Sequence, residues 1–177
     1  MGSNYKISVL GPIPKDHITT AKGLEIEKYG CVTHPAVGLA RLLENTGTVI
    51  PVAHLFKKDL ADVQTVFKPY SNIDQSHLLT EKDQGTNIRL RFIDQNNRLE
   101  KQVAFMHPIL PEDVENILDS DIFIVIPITD FDVPQATVKY IKENFEIFDF
   151  EISQEDIKKL DDFNENLRTC WDPTNAP

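Results

Sequence analysis

The sequence predicts an α/β protein in which a parallel sheet of the Rossmann type carries a small second sheet that protrudes from it. Short apolar runs of the buried-strand kind alternate with segments of helical periodicity, and this order is typical of right-handed β–α–β units. Two further segments, residues 18–29 and 87–105, alternate polar and apolar residues instead. They do not fit the β–α–β order, so they are assigned to a small exposed sheet, called the lid sheet below.

The core elements follow one another along the chain. KISVLG (6–11) is a β-branched apolar run that ends in Gly-Pro, and TVIPVAH (48–54) and DIFIVIPI (121–128) have the same character, which is typical of buried parallel strands. Apolar residues at helical spacing predict four helices, over residues 33–44, 59–68, 111–120 and 134–144. Thr33 is the candidate N-cap of the first helix.

The lid sheet contains the clearest hairpin of the sequence. NIRLRFI (87–93) alternates polar residues with apolar ones, residues 94–97 (DQNN) form the turn, and LEKQVAF (99–105) alternates back. This pattern predicts an antiparallel pair that exposes one face.

Composition and charge exclude several classes of function. The 177 residues are 41% hydrophobic and 26% charged, as in ordinary globular proteins, and no apolar run approaches the ~20 residues that span a bilayer. A formal net charge of −10 argues against nucleic-acid binding, which needs a basic face. The two cysteines, Cys31 and Cys170, are far apart in the sequence and form no metal motif. We therefore expect a cytoplasmic protein with no disulfide, no metal site, no nucleic-acid partner and no membrane segment.

Four stretches carry a resemblance to a known family: VLGPIPKDHI, EKYGCVTHPAVGLARLL, DQGTNIRLRFID and DSDIFIVIPITDFDVP. Together they resemble the N-terminal part of a ribokinase-like (pfkB-type) carbohydrate kinase, over residues 5–144. The resemblance implies a small-molecule sugar or nucleoside as ligand, and ATP with Mg²⁺ as cofactors of the complete kinase. Lid sheets of this family often pair between subunits, which admits a homodimer through the lid sheet.

The resemblance assigns substrate-binding roles to residues of two loops. Asp16 matches the aspartate that hydrogen-bonds sugar hydroxyls, although an aspartate in a loop also caps turns. Gly30 matches the first glycine of a pair that lets backbone approach the sugar, and Cys31 stands at the second place. From the residues alone, Gly30 can equally be a strand terminator.

Four more positions complete the predicted site. The family's asparagine in the first helical turn falls at Thr33 or His34, although an isolated histidine is more often a packing or capping residue. Gly85 and Thr86 begin the lid strand and would face the substrate, and turn chemistry explains both equally well.

The sequence lacks the motif that performs phosphoryl transfer in this family. The motif has the form D-T-x-G-A-G-D, whose amides hold phosphate and whose last aspartate is the base. It does not occur here, and none of the seven glycines belongs to a G-x-G or GxxxxGK cluster. The chain is therefore predicted to be an incomplete kinase that is inactive alone, with no catalytic residue and no cofactor of its own.

The last part of the chain resembles a different family. KENFEIFDFEISQEDIKKLDDFNENLR is similar to the C-terminal end of aldo-keto reductases, over residues 141–177. Glu143 and Asn144 match a cofactor-contacting Glu-Asn pair, but Tyr140 replaces the arginine that grips the 2′-phosphate. Glu143 and Asn144 are therefore interpreted as residues of a helix C-terminus.

The tail also differs in charge and periodicity from what precedes it. It holds nine acidic and three basic residues from Phe145 onwards, and Ile157, Leu160 and Leu167 share one face of a predicted amphipathic helix that begins after Ser153. We expect a partial kinase domain at 1–144 and a reductase-like tail at 145–177. The join can be natural, a gene-model error or engineered. Two alternative functions remain, an NADP-dependent aldo-keto reductase fragment and a non-catalytic binding module.

Overall fold

The computed structural model describes residues 5–144 and Lys158, and within them it shows two four-stranded sheets and four α-helices. The strands are β1 (Tyr5–Leu10), β2 (Lys15–Thr19), β3 (Glu25–Tyr29), β4 (Gly47–His54), β5 (Leu78–Leu79), β6 (Asn87–Phe92), β7 (Arg98–Ala104) and β8 (Ile122–Val125). The helices are α1 (Thr33–Leu42), α2 (Leu60–Phe67), α3 (Pro111–Val114) and α4 (Gln135–Asn144), with 3₁₀ turns at Lys57–Asp59 and Glu115–Ile117.

The main sheet is parallel and has the strand order β5-β4-β1-β8. Ile7 of β1 is aligned with Val49 of β4 on one side and with Ile122 of β8 on the other. Helices α1 and α2 pack on one face through Ala36, Ala40, Val63 and Phe67, and α3 and α4 pack on the other through Val114 and Ile141. Because both faces are covered, the strands are continuous apolar runs. The predicted α/β class and parallel sheet are confirmed.

The lid sheet has the strand order β3-β2-β6-β7. Strands β2 and β3 are antiparallel, as are β6 and β7, and the two pairs are joined by parallel pairing of β2 with β6. The hairpin predicted from the alternation at 87–105 is confirmed. Strand β2 begins earlier than expected, at Lys15, so Asp16 lies on a strand of the lid sheet and the prediction of a loop position is wrong.

Helix α1 begins as predicted at Thr33, but its N-cap residue is Val32, without a side-chain hydrogen bond. The Thr33 hydroxyl donates backwards to the carbonyl oxygens of Tyr29 (2.8 Å) and Gly30 (3.1 Å). The N-cap role predicted for Thr33 is therefore wrong, because its side chain stabilises the preceding turn. The helix predicted over residues 111–120 is also shorter, a single α-turn followed by the 3₁₀ turn.

The structure leaves several predictions about the tail open. The amphipathic helix, Cys170 and the reductase-like segment from Phe145 onwards lie outside the described residues, Lys158 excepted. The domain boundary at 144 stays a prediction. In the part of the chain that the structure describes, no helix is long and apolar enough to cross a bilayer.

Candidate ligand-binding site

The candidate site lies where β1 and β8 end, beside the first strands of the lid sheet. The Gly11 amide donates to the Val52 carbonyl oxygen (3.2 Å), and the Ile126 amide donates to that of Leu10 (2.8 Å). These two bonds hold the end of β1 and the residue after it against β4 on one side and against the segment after β8 on the other. Open α/β sheets bind ligands at this edge, the carboxyl ends of the strands.

Asp16 and Gly30 face each other across this edge. A Cβ added to Gly30 would stand 2.6 Å from Oδ2 of Asp16, so any side chain at position 30 would force the carboxylate to move from where it lies. The Gly30 amide donates to the Pro14 carbonyl oxygen (3.1 Å), which ties the end of β3 to the start of β2. The structure thus brings together two residues that the sequence assigned to the site.

The Asp16 carboxylate has no hydrogen-bond donor among residues 5–144. Burial raises the pKa of this carboxyl to about 6, and the neighbouring charge of Glu100 raises it further, whereas His34, His17 and Arg98 lower it. A half-buried carboxylate that is mostly ionised at neutral pH requires donors. Water or a ligand with hydroxyl groups can donate to it.

Cys31 follows Gly30 in a left-handed conformation with φ of 49°. Its thiol lies 3.6 Å from the Ile126 carbonyl oxygen, to which it donates. Burial raises the pKa of the thiol to about 11, and Asp132 and Asp16 add to the effect, so the thiol stays protonated and is a poor nucleophile. Glycine adopts the left-handed backbone conformation without strain, which gives a physical reason why the kinase family that the sequence resembles has glycine at this position.

Thr33 and His34 differ in what they offer to a ligand. Thr33 is buried and its hydroxyl hydrogen is committed to the turn carbonyls. His34 is exposed, and its charge acts on the Asp16 carboxyl and lowers its pKa. Of the two positions, His34 is therefore the one with a side chain free to contact a ligand beside Asp16.

Gly85 and Thr86 lie at the base of the lid sheet. A Cβ on Gly85 would stand 2.7 Å from the Phe56 nitrogen. The Thr86 carbonyl oxygen accepts from the Lys15 amide (2.9 Å), and its hydroxyl accepts from the Met106 amide (3.2 Å). Both residues join the lid sheet to the core, and the buried Thr86 hydroxyl is occupied there.

Sequence reasoning missed two residues that act on Asp16. Glu100 and Arg98 lie on β7 and form an ion pair with 3.1 Å between Nη2 and Oε2, and their charges shift the pKa of the Asp16 carboxyl in opposite directions. Their position depends on how β2, β6 and β7 align, which puts Leu90 opposite Glu100. The alternation of LEKQVAF shows that Glu100 shares a face with Gln102, but not that this face carries Asp16.

Comparison with solved structures supports the fold. The chain is similar to a pyrophosphate-dependent kinase in the ribokinase family, with a TM-score of 0.61 and 19% identity over 77% of this chain and 46% of that one. It is also similar to the fructokinase of Halothermothrix orenii, with a TM-score of 0.58 and 17% identity over 79% of this chain and 54% of that one. The chain spans about half the length of these kinases. At such identities the likeness shows the fold alone, and the expected ribokinase-like fold is confirmed.

Sequence comparisons gave shorter matches. No protein-family model matches the chain. A stretch of 44 residues is 48% identical to the uncharacterized oxidoreductase YtbE of Bacillus subtilis, covering 24% of this chain and 16% of that protein. A stretch of 55 residues is 42% identical to an uncharacterized oxidoreductase of Schizosaccharomyces pombe, covering 31% of this chain and 18% of that protein. The chain therefore spans less than a fifth of either curated relative.

Proposed function

We propose that this protein binds a small polyhydroxylated molecule, a sugar or nucleoside, at the Asp16 site beneath the lid sheet. The observation that carries the proposal is the half-buried Asp16 carboxylate, which has no donor among residues 5–144 and is held against Gly30. An ionised carboxylate accepts hydrogen bonds from two hydroxyl groups, and an analogue without them leaves the charge unsatisfied. Solved structures of the same fold include a ribokinase-family kinase complexed with myo-inositol, which supports the choice of ligand class.

The proposed function does not include phosphoryl transfer by this chain itself. The transfer needs an anion hole for phosphate and a base on the acceptor hydroxyl, and the D-T-x-G-A-G-D motif that supplies both in the family is not in the sequence. In the described part of the chain, no group of three or more His, Cys, Asp or Glu side chains could hold a metal ion. No step is therefore assigned to ATP or to Mg²⁺.

The lid sheet also offers a surface for a second copy of the chain. Strand β7 forms one edge of the lid sheet. Leu99 and Val103 of this strand and Phe105 just after it are 60%, 41% and 57% exposed. An exposed edge strand with apolar side chains favours pairing with another strand. We include in the proposal a cytoplasmic location and homodimerisation through this edge. Analytical ultracentrifugation tests the dimer: the wild type should sediment as a dimer and Val103→Lys as a monomer.

Isothermal titration calorimetry with myo-inositol, D-ribose, D-fructose and inosine tests the ligand proposal. We expect saturable binding of at least one of these, and a loss of at least about tenfold in affinity in Asp16→Asn, because the amide replaces a charged acceptor. Glu44→Gln is the matched control, since it removes one carboxylate charge at an exposed position just beyond the other end of α1. Equal affinity in wild type and Asp16→Asn, or no binding of any of the four compounds, would overturn the proposal.

A second function, nicotinamide binding, is favoured by one observation, the two short matches to uncharacterized oxidoreductases. These matches span too little of either relative to carry its activity. Saturable binding of NADPH that is insensitive to Asp16→Asn would favour this second function over the first.

A further inference from the structure

Asp59 is the last residue of the 3₁₀ turn that continues directly into α2, and its side chain makes no capping hydrogen bond. The residue is only 4% exposed. Its carboxylate is directed instead towards the first strands of the lid sheet.

Two lid residues meet this buried carboxylate. The Tyr29 hydroxyl donates to Oδ1 of Asp59 (3.2 Å) and to Oδ2 of Asp62 (3.3 Å). The Lys15 ammonium lies 3.6 Å from the same Oδ1 of Asp59 and 3.1 Å from Oε2 of Glu27. Burial raises the pKa of Tyr29, and the charges of Asp59 and Asp62 add to this. The phenol therefore stays protonated and remains a donor at every pH near neutrality.

Lys15 and Tyr29 adjoin the two central residues of the candidate site. Lys15 precedes Asp16, Tyr29 precedes Gly30, and the two are directly aligned in the antiparallel pair of β2 and β3. Successive side chains of a strand point to opposite faces, so Lys15 is held on the face of the lid sheet opposite to Asp16. A restraint on Lys15 and Tyr29 is thus a restraint on the backbone that carries Asp16 and Gly30.

We propose that Asp59 is a positioning residue for the Asp16 site: it anchors Lys15 and Tyr29 to the start of α2 and thereby sets the placement of Asp16 against Gly30. This inference rests on the proposed function. A buried carboxylate bears a desolvation cost that a surface ion pair does not, and two of the partners that Asp59 contacts, Lys15 and Tyr29, belong to the lid sheet. The benefit is a fixed geometry between the lid sheet and the core.

The variants Tyr29→Phe and Asp59→Asn test the proposal, with Tyr70→Phe as the matched control. Tyr70→Phe also removes a tyrosine hydroxyl contact, an exposed one that accepts from Nη2 of Arg41 (2.8 Å) outside the site. With whichever of myo-inositol, D-ribose, D-fructose and inosine binds the wild type most tightly, both variants should weaken affinity about tenfold at unchanged stoichiometry. Tyr70→Phe should leave the affinity unchanged. Lower melting temperatures with unchanged affinity in Tyr29→Phe and Asp59→Asn would show a merely structural role and overturn the proposal.

A second readout needs no ligand and separates this inference from the proposed function. The ¹³C chemical shift of the Asp16 carboxyl reports its pKa, which burial raises to about 6 in the wild type. In Tyr29→Phe the strand loosens and water enters, so the titration midpoint should move towards the ordinary value of aspartate, while Tyr70→Phe keeps it. If no compound binds the wild type, the proposed function fails, and an unchanged midpoint in Tyr29→Phe overturns the positioning role independently.

Discussion

The Asp16 carboxylate occupies the space that a side chain at position 30 would need: its Oδ2 lies 2.6 Å from the ideal Cβ position of Gly30. This close approach joins β2, which carries Asp16, to the end of β3, which Gly30 follows. It also makes the smallest possible change at position 30 a direct probe of the site.

Gly30→Ala should displace the Asp16 carboxylate and weaken ligand binding by at least about tenfold. The backbone of Gly30 has no positive φ, so alanine causes no backbone strain, and any loss of stability comes from the collision with Asp16. Calorimetric titration with the four polyhydroxylated compounds measures the affinity. Wild-type affinity in Gly30→Ala would show that Asp16 need not lie where the structure puts it.

The double variant Gly30→Ala with Asp16→Gly provides the control for this collision. Without the carboxylate, the added methyl group has only an ordinary contact with Cγ of Pro14 at 3.7 Å, so the melting temperature should return towards that of Asp16→Gly alone. If the alanine costs the same stability with and without Asp16, the two residues do not interact.

Cys31→Gly should be more stable than Cys31→Ala by about 1 kcal/mol or more, because a residue with a Cβ pays for the left-handed conformation at this position. Both variants remove the thiol and its contact with Ile126, so their difference isolates the backbone term. Denaturation with urea measures the free energy of unfolding of each. An alanine variant at least as stable as the glycine variant would contradict the left-handed assignment.

Much of the fold could be predicted from the sequence, and the parts that could not share one physical cause. The apolar run of β1 and the alternation of β6 and β7 are local patterns, and they predict buried and half-exposed strands directly. The place of Asp16 depends on how β2 pairs with β3 and β6, and such pairing is a tertiary property.

The candidate site follows the same division. Asp16 and Gly30 were assigned to the site through the resemblance to a kinase family, whereas the influence of Glu100 arises only when β7 is aligned beside β6. The approach of Gly85 to the Phe56 nitrogen is likewise a contact between segments distant in the chain. No local sequence pattern predicts either of these contacts.

NADPH should not bind with micromolar affinity: if the tail's resemblance to aldo-keto reductases holds, Tyr140 replaces their arginine, and a phenol cannot form the bidentate pair with a 2′-phosphate. Tyr140 is partly buried and packs against the core cluster that contains Leu10 and Ile109. Fluorescence titration with NADPH measures this, and NADH serves as the control without a 2′-phosphate. Saturable binding of NADPH at micromolar concentration would reverse the order of the two functions.

Asp16→Asn should make the protein more stable at pH 7 and leave its stability nearly unchanged at pH 4. Burial raises the pKa of the folded Asp16 carboxyl to about 6, above its ordinary value of 3.8. A raised pKa means that the folded state favours the protonated carboxyl, so this contribution is fully present below pH 3.8 and is lost as the pH rises through 6. Asparagine, which never ionises, avoids that loss.

The expected gain at pH 7 is up to about 1 kcal/mol, less than the full shift in pKa would give, because the carboxyl is only half-buried and solvent screens its charge. Urea denaturation of wild type and Asp16→Asn at pH 4 and pH 7 measures it, with Glu44→Gln as the exposed-carboxylate control. Affinity should change in the opposite sense, since the ionised carboxylate is the form that accepts hydroxyl donors, and binding by the wild type should weaken as the pH falls below 6. A gain in stability at pH 7 together with a loss of affinity would show that Asp16 serves binding and destabilises the fold. An Asp16→Asn variant that is less stable at pH 7 and binds as well as the wild type would show that Asp16 serves the fold alone.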